Sequence, residues 1–189
     1  SIGYSHLNLV LTKNENNSDF LPLTPNLAGP GNITSWEIIG TLPTGLNFSA
    51  ENGTIWGIPT ELYHEWQNIT IYANNSGGTV IANIRIMVND QIPIISYNLS
   101  QVVLKNDTEM ASIEAVHGGG PFITVAIHPE LPAGMYFGYG NATIWGQPTE
   151  LTNRIEYTVW ANNSGGSAST TVNIAINDQI AVISYSTPV

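Results

Sequence analysis

Apolar and polar residues alternate along much of this chain, with the period of a β-strand. In Asn68-Ile69-Thr70-Ile71-Tyr72-Ala73-Asn74 the odd positions are apolar and should face a core, while Asn68, Tyr72 and Asn74 should face solvent. Ala82, Ile84, Ile86 and Val88 form the next inward stripe. Between these runs, Asn75-Ser76-Gly77-Gly78 predicts a hairpin turn in which glycine supplies positive φ. A second pair of runs copies the first, with Tyr157, Val159 and Ala161 inward and Thr158, Trp160 and Asn162 outward. No stretch keeps helical spacing for long, and the abundance of Asn, Ser, Thr, Gly and Pro disfavours helix. The expected class is all-β.

The copying extends through the chain. Leu42-Pro43-Thr44-Gly45-Leu46-Asn47-Phe48 returns as Leu131-Pro132-Ala133-Gly134-Met135-Tyr136-Phe137, a shift of 89 residues. Thr54-Ile55-Trp56-Gly57 returns as Thr143-Ile144-Trp145-Gly146, and Asn89-Asp90-Gln91-Ile92 as Asn177-Asp178-Gln179-Ile180. Ile2-Gly3-Tyr4 matches Ile95-Ser96-Tyr97 and then Ile183-Ser184-Tyr185. Such self-similarity marks tandem units: repeat 1 over 1–91, repeat 2 over 92–179, and 180–189 as the opening strand of a third repeat or a donated strand. Short strands with frequent turn signals, in units of about 90 residues, fit a sandwich of immunoglobulin type. Asp90-Gln91-Ile92-Pro93-Ile94 joins the two without a Gly/Ser linker, which predicts stiff coupling and a rod-like segment.

The wording is more specific than the period. Leu-Pro-x-Gly-Leu-x-Phe, then Gly53-Thr54-Ile55-Trp56-Gly57-Ile58-Pro59-Thr60, then a strand ending Ala73-Asn74-Asn75-Ser76-Gly77-Gly78, resembles the putative-Ig, cadherin-like repeat of prokaryotic surface proteins. The resemblance covers nearly the whole chain, twice over. It implies two tandem Ig-like/cadherin-like β-sandwiches stacked end to end. Because such repeats occur in arrays in adhesins and other envelope proteins, it also implies an extracellular, non-catalytic building block. The chain departs from the family at Trp56 and Trp145, where a small polar residue is common.

Composition narrows the function. There is no Cys, so no disulfide framework, thiolate metal site or cysteine nucleophile arises. Four Lys and Arg stand against 14 Asp and Glu, for a formal charge of −10. That balance argues against nucleic acid or an anionic membrane as partner, since each needs a basic face. No apolar run approaches the roughly 20 residues of a membrane span. The chain opens at Ser1 without a basic-then-apolar leader, the pattern expected where a signal segment is absent or removed. Charged residues make up only 10%, against about 25% in a typical domain. Something other than ionised side chains must keep the surface wet.

Catalytic motifs are missing. The chain holds no Gly-x-Ser-x-Gly elbow, Walker loop, His-Glu-x-x-His or dinucleotide fingerprint. Gly118-Gly119-Gly120 precedes Pro121 and a strand, so it lacks a phosphate loop's helix and reads as a flexible loop. His6, His64, His117 and His128 do not recur between repeats, and Glu61 and Glu65 read as solvated loop charges rather than a glycosidase pair. Asp90 and Asp178 lie at the two joints, where cadherin-like domains bind calcium. Each has only Asn and Gln beside it, too few anionic oxygens for a strong Ca²⁺ site, so they are weak candidates and no metal or cofactor is expected.

Asn-x-Ser/Thr is another matter. Asn16, Asn32, Asn47, Asn52, Asn68, Asn74, Asn98, Asn106, Asn141 and Asn162 all head this N-glycosylation signal. Random placement of 21 Asn and 32 Ser or Thr among 189 residues would give about 3.6 matches, so ten is an excess. Turn preference accounts for Asn74 and Asn162, but not for Asn68 in mid-strand or for the doubled site at Asn52 and Asn141. A sugar coat would supply the missing hydrophilicity and block exposed sheet edges; among hosts of such repeats, archaea fit best. Outward aromatics should lie beneath the glycans, Tyr72 beside Asn74, Trp160 beside Asn162, Trp56 near Asn52 and Trp145 near Asn141. The expectation is a structural, non-catalytic subunit of a glycosylated extracellular filament or stalk. Its partners would be head-to-tail copies of itself, joined covalently in tandem or by strand donation. The alternatives are an adhesin or carbohydrate-binding module using the same four aromatics, and accessory domains of a larger secreted enzyme.

Overall fold

The computed structural model describes residues 1–29 and 31–184, and they divide into two compact units at Gln91/Ile92. In unit 1 the strands are β1 (Ile2–Tyr4), β2 (Asn8–Thr12), β3 (Pro25–Leu27), β4 (Ser35–Ile39), β5 (Leu46–Phe48), β6 (Ile55–Gly57), β7 (Tyr63–Asn75) and β8 (Gly78–Asn89). In unit 2 they are β9 (Pro93–Tyr97), β10 (Gln101–Lys105), β11 (Ala115–Gly119), β12 (Thr124–His128), β13 (Met135–Phe137), β14 (Ile144–Gly146), β15 (Thr152–Asn163) and β16 (Gly166–Asn177). The described residues form no helix.

Each unit is a two-layer sandwich. One layer of unit 1 is the four-stranded sheet β2-β8-β7-β4, and the other joins β1-β3 to β6-β5 through the bridge Leu23↔Ile55. Unit 2 repeats this as β10-β16-β15-β12 against β9-β11 and β14-β13, linked by Ile113↔Ile144. The opening segment serves both layers. β1 pairs antiparallel with β3, the chain crosses through residues 5–7, and β2 then runs parallel to β8. This is the immunoglobulin plan, with the first strand split between the sheets.

The predicted faces are observed. Ile69, Ile71 and Ala73 of β7 and Ala82, Ile84, Ile86 and Val88 of β8 are buried, as are Tyr157, Val159 and Ala161 of β15. Each fully buried Ile or Leu contributes about 1.5–3 kcal/mol, and without disulfides this layer of branched side chains pins the sheets together. The hairpins turn over Ser76-Gly77 and Ser164-Gly165, where Asn75 Oδ1 accepts the Gly77 N–H and Asn163 Oδ1 the Gly165 N–H, both at 2.8 Å.

Gly118 and Gly119 are not in a loop. They close β11, opposite Ile94 and Pro93, because β9 offers them a ladder to join. The opening strand expected over 180–189 falls partly outside the described residues. Over 180–184 no strand is formed, and Ile180, Val182 and Ile183 are exposed; Tyr185 and the residues after it lie outside.

Candidate functional site

The four outward aromatics do not form one platform. In unit 1, Trp56 of β6 points away from the core that Ile55 enters, on the outer face of the β1-β3-β6-β5 layer. Tyr72 of β7 points outward from the other layer, between buried Ile71 and Ala73. Trp145 and Trp160 divide unit 2 in the same way. The pair in each unit therefore lies on opposite faces of its sandwich.

On the first face the two units differ. Trp56 sits opposite Asn47 in the β5–β6 ladder, and Trp145 sits opposite Tyr136 in β13–β14. The Tyr136 and Trp145 ring centroids are 6.1 Å apart at 32°. Trp56 and Trp145 remain about two-fifths exposed, at 43% and 42%, and Tyr136 and Tyr139 extend the exposed aromatic surface of unit 2. A shallow groove beside Trp56 is lined by Asn16, Leu21, Pro22 and Ile58. Asn52 and Asn141 occupy the turns that enter β6 and β14. Their Oδ1 atoms accept the N–H of Thr54 at 3.0 Å and of Thr143 at 3.1 Å, so the local Asx geometry employs the carbonyl oxygen, not the Nδ2 that would carry a sugar.

On the second face, Asn74 is tied in. Its Nδ2 donates to Ser35 Oγ at 3.3 Å and Glu37 Oε1 at 3.2 Å, and its Oδ1 accepts from Thr79 Oγ1 at 2.7 Å. Asn162 donates to Thr124 Oγ1 at 3.2 Å and accepts from the Ser167 hydroxyl. Both are half-buried, as is Asn106, whose Nδ2 donates to Asp107 Oδ2 at 2.9 Å. The other seven, Asn16, Asn32, Asn47, Asn52, Asn68, Asn98 and Asn141, are exposed.

The remaining candidates stay apart. His6 packs edge-on against Phe20, His117 lies against Phe122 and meets the Asn141 carbonyl at 3.0 Å, and Glu61 accepts the Thr44 hydroxyl at 2.9 Å. Asp90 is buried, whereas Asp178 is exposed, with its Oδ1 accepting the Gln179 N–H at 2.8 Å. Among the described residues no three His, Cys, Asp or Glu come together as metal ligands, and no helix is long and apolar enough to cross a membrane.

Two features escaped the sequence reading. The Tyr4 hydroxyl crosses the core to donate to the Gly53 carbonyl at 2.7 Å, and Tyr97 does the same to Ala142 at 2.6 Å. Burial pushes both phenols up to about 12. The recurrence Ile-x-Tyr was visible, but not the turn it holds. Likewise, only the register shows that Asn47, not Asn52, lies directly across from Trp56.

Residues 3–89 match the Putative Ig domain family. No curated protein sequence matches the chain. Among solved structures, an I-band fragment of titin is 18% identical at a TM-score of 0.44, over 94% of this chain and 66% of that one. Extracellular domains 3–5 of Drosophila OTK are 16% identical at 0.48, over 94% and 62%. Cadherin domains 1–4 of protocadherin gamma B7 are 14% identical at 0.40, over 95% and 51%. The chain thus spans less than two thirds of each. Ig-like domain families are typically non-catalytic and commonly extracellular. Residues 3–89 are thus similar to the Putative Ig domain family, and the second unit repeats their motifs on the same strand plan, so the chain is a tandem of two Ig-like sandwiches.

Proposed function

We propose that this chain is a structural, non-catalytic segment of a glycosylated extracellular filament or surface stalk, built head to tail from Ig-like domains. The observation that carries the reading is the placement of the sequons: seven of the ten asparagines are exposed, on a surface with few ionised groups to hydrate it. Attachment from an activated glycosyl phosphate breaks the anomeric C–O bond and forms a C–N bond to Nδ2. The phosphate leaves with the electron pair, and the amide gives up one of its two protons. Sugars so placed would wet the sandwich faces, and those on Asn32 and Asn98 would screen the edge strands β4 and β10 that follow them.

Continuity along the filament is supported by the exposed Ile180, Val182 and Ile183, the first of which ends, and the others follow, the same Asn-Asp-Gln-Ile wording that leads into β9. The segment would seat on a further Ig-like unit, covalently or by strand addition to another copy. Intact-mass and glycopeptide analysis of native material tests the glycoprotein reading, and an unmodified mass would defeat it. A chain ending at Asp178, compared with one ending at Val189 by electron microscopy and solution sizing, tests assembly; equal, strictly monomeric behaviour would defeat strand donation. The exposed Tyr136, Tyr139 and Trp145 favour one rival, a carbohydrate-binding surface on unit 2, which glycan-array binding abolished by Trp145→Ala would establish.

A further inference from the structure

We infer that Trp56 is the seat of the first sugar of a glycan on Asn47, in the place that Tyr136 holds beside Trp145 in unit 2. The inference rests on the glycoprotein reading above and names the residue pair on which one of those glycans packs. Asn47 and Trp56 are direct ladder partners, so their Cβ atoms lie about 4.5–5.5 Å apart on one face of the sheet. The side chains of Asn47 and Tyr136 take the same course. A Cβ added at Gly57 would lie 3.2 Å from Asn47 Nδ2, and one added at Gly146 would lie 3.1 Å from the Tyr136 ring. Both residues lean over the glycine that follows the tryptophan. In unit 2 the ring so placed lies beside the indole, 6.1 Å between centroids; in unit 1 an amide stands in that place, and both indoles keep an exposed face, 43% at Trp56 and 42% at Trp145. A pyranose on Nδ2 adds a ring of similar reach, with an apolar face of C–H groups suited to an indole. The phenol at position 136 and the sequon at position 47 are then two ways of laying a ring beside an outward indole.

The test uses the full chain in its native glycosylating host, with Asn47→Gln, Asn47→Tyr, Trp56→Thr and the Asn47→Gln/Trp56→Thr pair, read by thermal unfolding and by glycopeptide occupancy. Asn47→Gln should lower Tm by about 3–8 °C, Asn47→Tyr should retain most of it, and the double variant should be no worse than the worse single. Asn16→Gln, at the other flank of the groove, should show no such coupling to Trp56. Additive effects with Asn47 occupied, or coupling that follows Asn16, would overturn the inference and leave the glycoprotein reading standing. An unoccupied Asn47 among occupied sequons would do the same, whereas ten unmodified sequons would remove the reading and the inference together.

Discussion

The two units share a strand plan and differ in how they fill it. Unit 1 packs one continuous core around Trp36 of β4; at the matching ladder position β12 carries Val125, opposite Ala161 as Trp36 is opposite Ala73. The buried residues of unit 2 fall into two clusters, with Tyr97, Ile127 and Phe137 packed against both. The turn beneath has changed in the opposite sense. Gly53 stands under Trp36, and Ala142 takes the matching place in unit 2. Both have positive φ, 73° and 57°, a conformation that taxes any residue with a Cβ. A Cβ at Gly53 would come 2.5 Å from the Trp36 ring; beneath Val125 there is room for one, and Ala142 is fully buried. The large ring requires a turn without a Cβ, and the smaller side chain admits one.

That compensation gives the largest expected effect. Gly53→Ala should destabilise unit 1 by about 2–4 kcal/mol, from overpacking plus the left-handed backbone. Combined with Trp36→Val it should cost less than the two singles together, by about 1–3 kcal/mol. Urea unfolding of the four proteins, with hydrogen exchange at β6 and β7 to localise the loss, measures the coupling. Additivity within about 0.5 kcal/mol would mean that the two units reached their packings independently.

The next effect should be equal in both units, because the tyrosine that holds each turn is shared. The Tyr4 and Tyr97 phenols rise to about 12 through burial, against about 10 in an unfolded chain. The folded state therefore binds more protons between those values. Its stability is fully present below pH 10 and declines as pH rises through 12. Tyr4→Phe or Tyr97→Phe should cost about 1 kcal/mol near neutrality, the worth of one buried hydrogen bond, and should flatten the alkaline decline. Burial also raises Tyr157, so a chain with both substitutions keeps a residual slope. Unchanged alkaline midpoints in both singles would show that these hydroxyls do not tie the turns to stability.

How far the sequence revealed this can be seen at the same residues. Ile69, Ile71 and Ala73 were legible as a core face because a period of two leaves little freedom once one face is dry. The repeat and the resemblance of its wording made the Ig-like plan visible. What stayed hidden depends on pairing between distant segments. Trp56 looked closest to Asn52, four residues away in sequence, yet the ladder puts Asn47 opposite it. Gly118 and Gly119 looked like a loop because local composition does not reveal that Ile94 and Pro93 of β9 pair with them. Asn74 looked like any other outward residue, and only the neighbouring strand shows that its amide is occupied.

That last difference sets the smallest effect, one of degree between matched sites. Attaching a sugar leaves a single hydrogen on Nδ2. At Asn162 that hydrogen can still serve Thr124 Oγ1, the one acceptor it now has. At Asn74 two acceptors compete, Ser35 Oγ and the Glu37 carboxylate, and one must be given up; β12 has Ala126 where β4 has Glu37. Losing an exposed hydrogen bond of this kind costs about 0.5–1.5 kcal/mol, small against folding but enough to bias modification of a folded or folding hairpin. Occupancy in native glycopeptides should therefore rank the exposed Asn68 first, Asn162 next and Asn74 last, and Glu37→Ala should raise Asn74 toward Asn162. Equal occupancy at Asn74 and Asn162, unmoved by Glu37→Ala, would mean that sugars are attached before β4 and β7 pair, and that the folded hydrogen bonds form around the glycan.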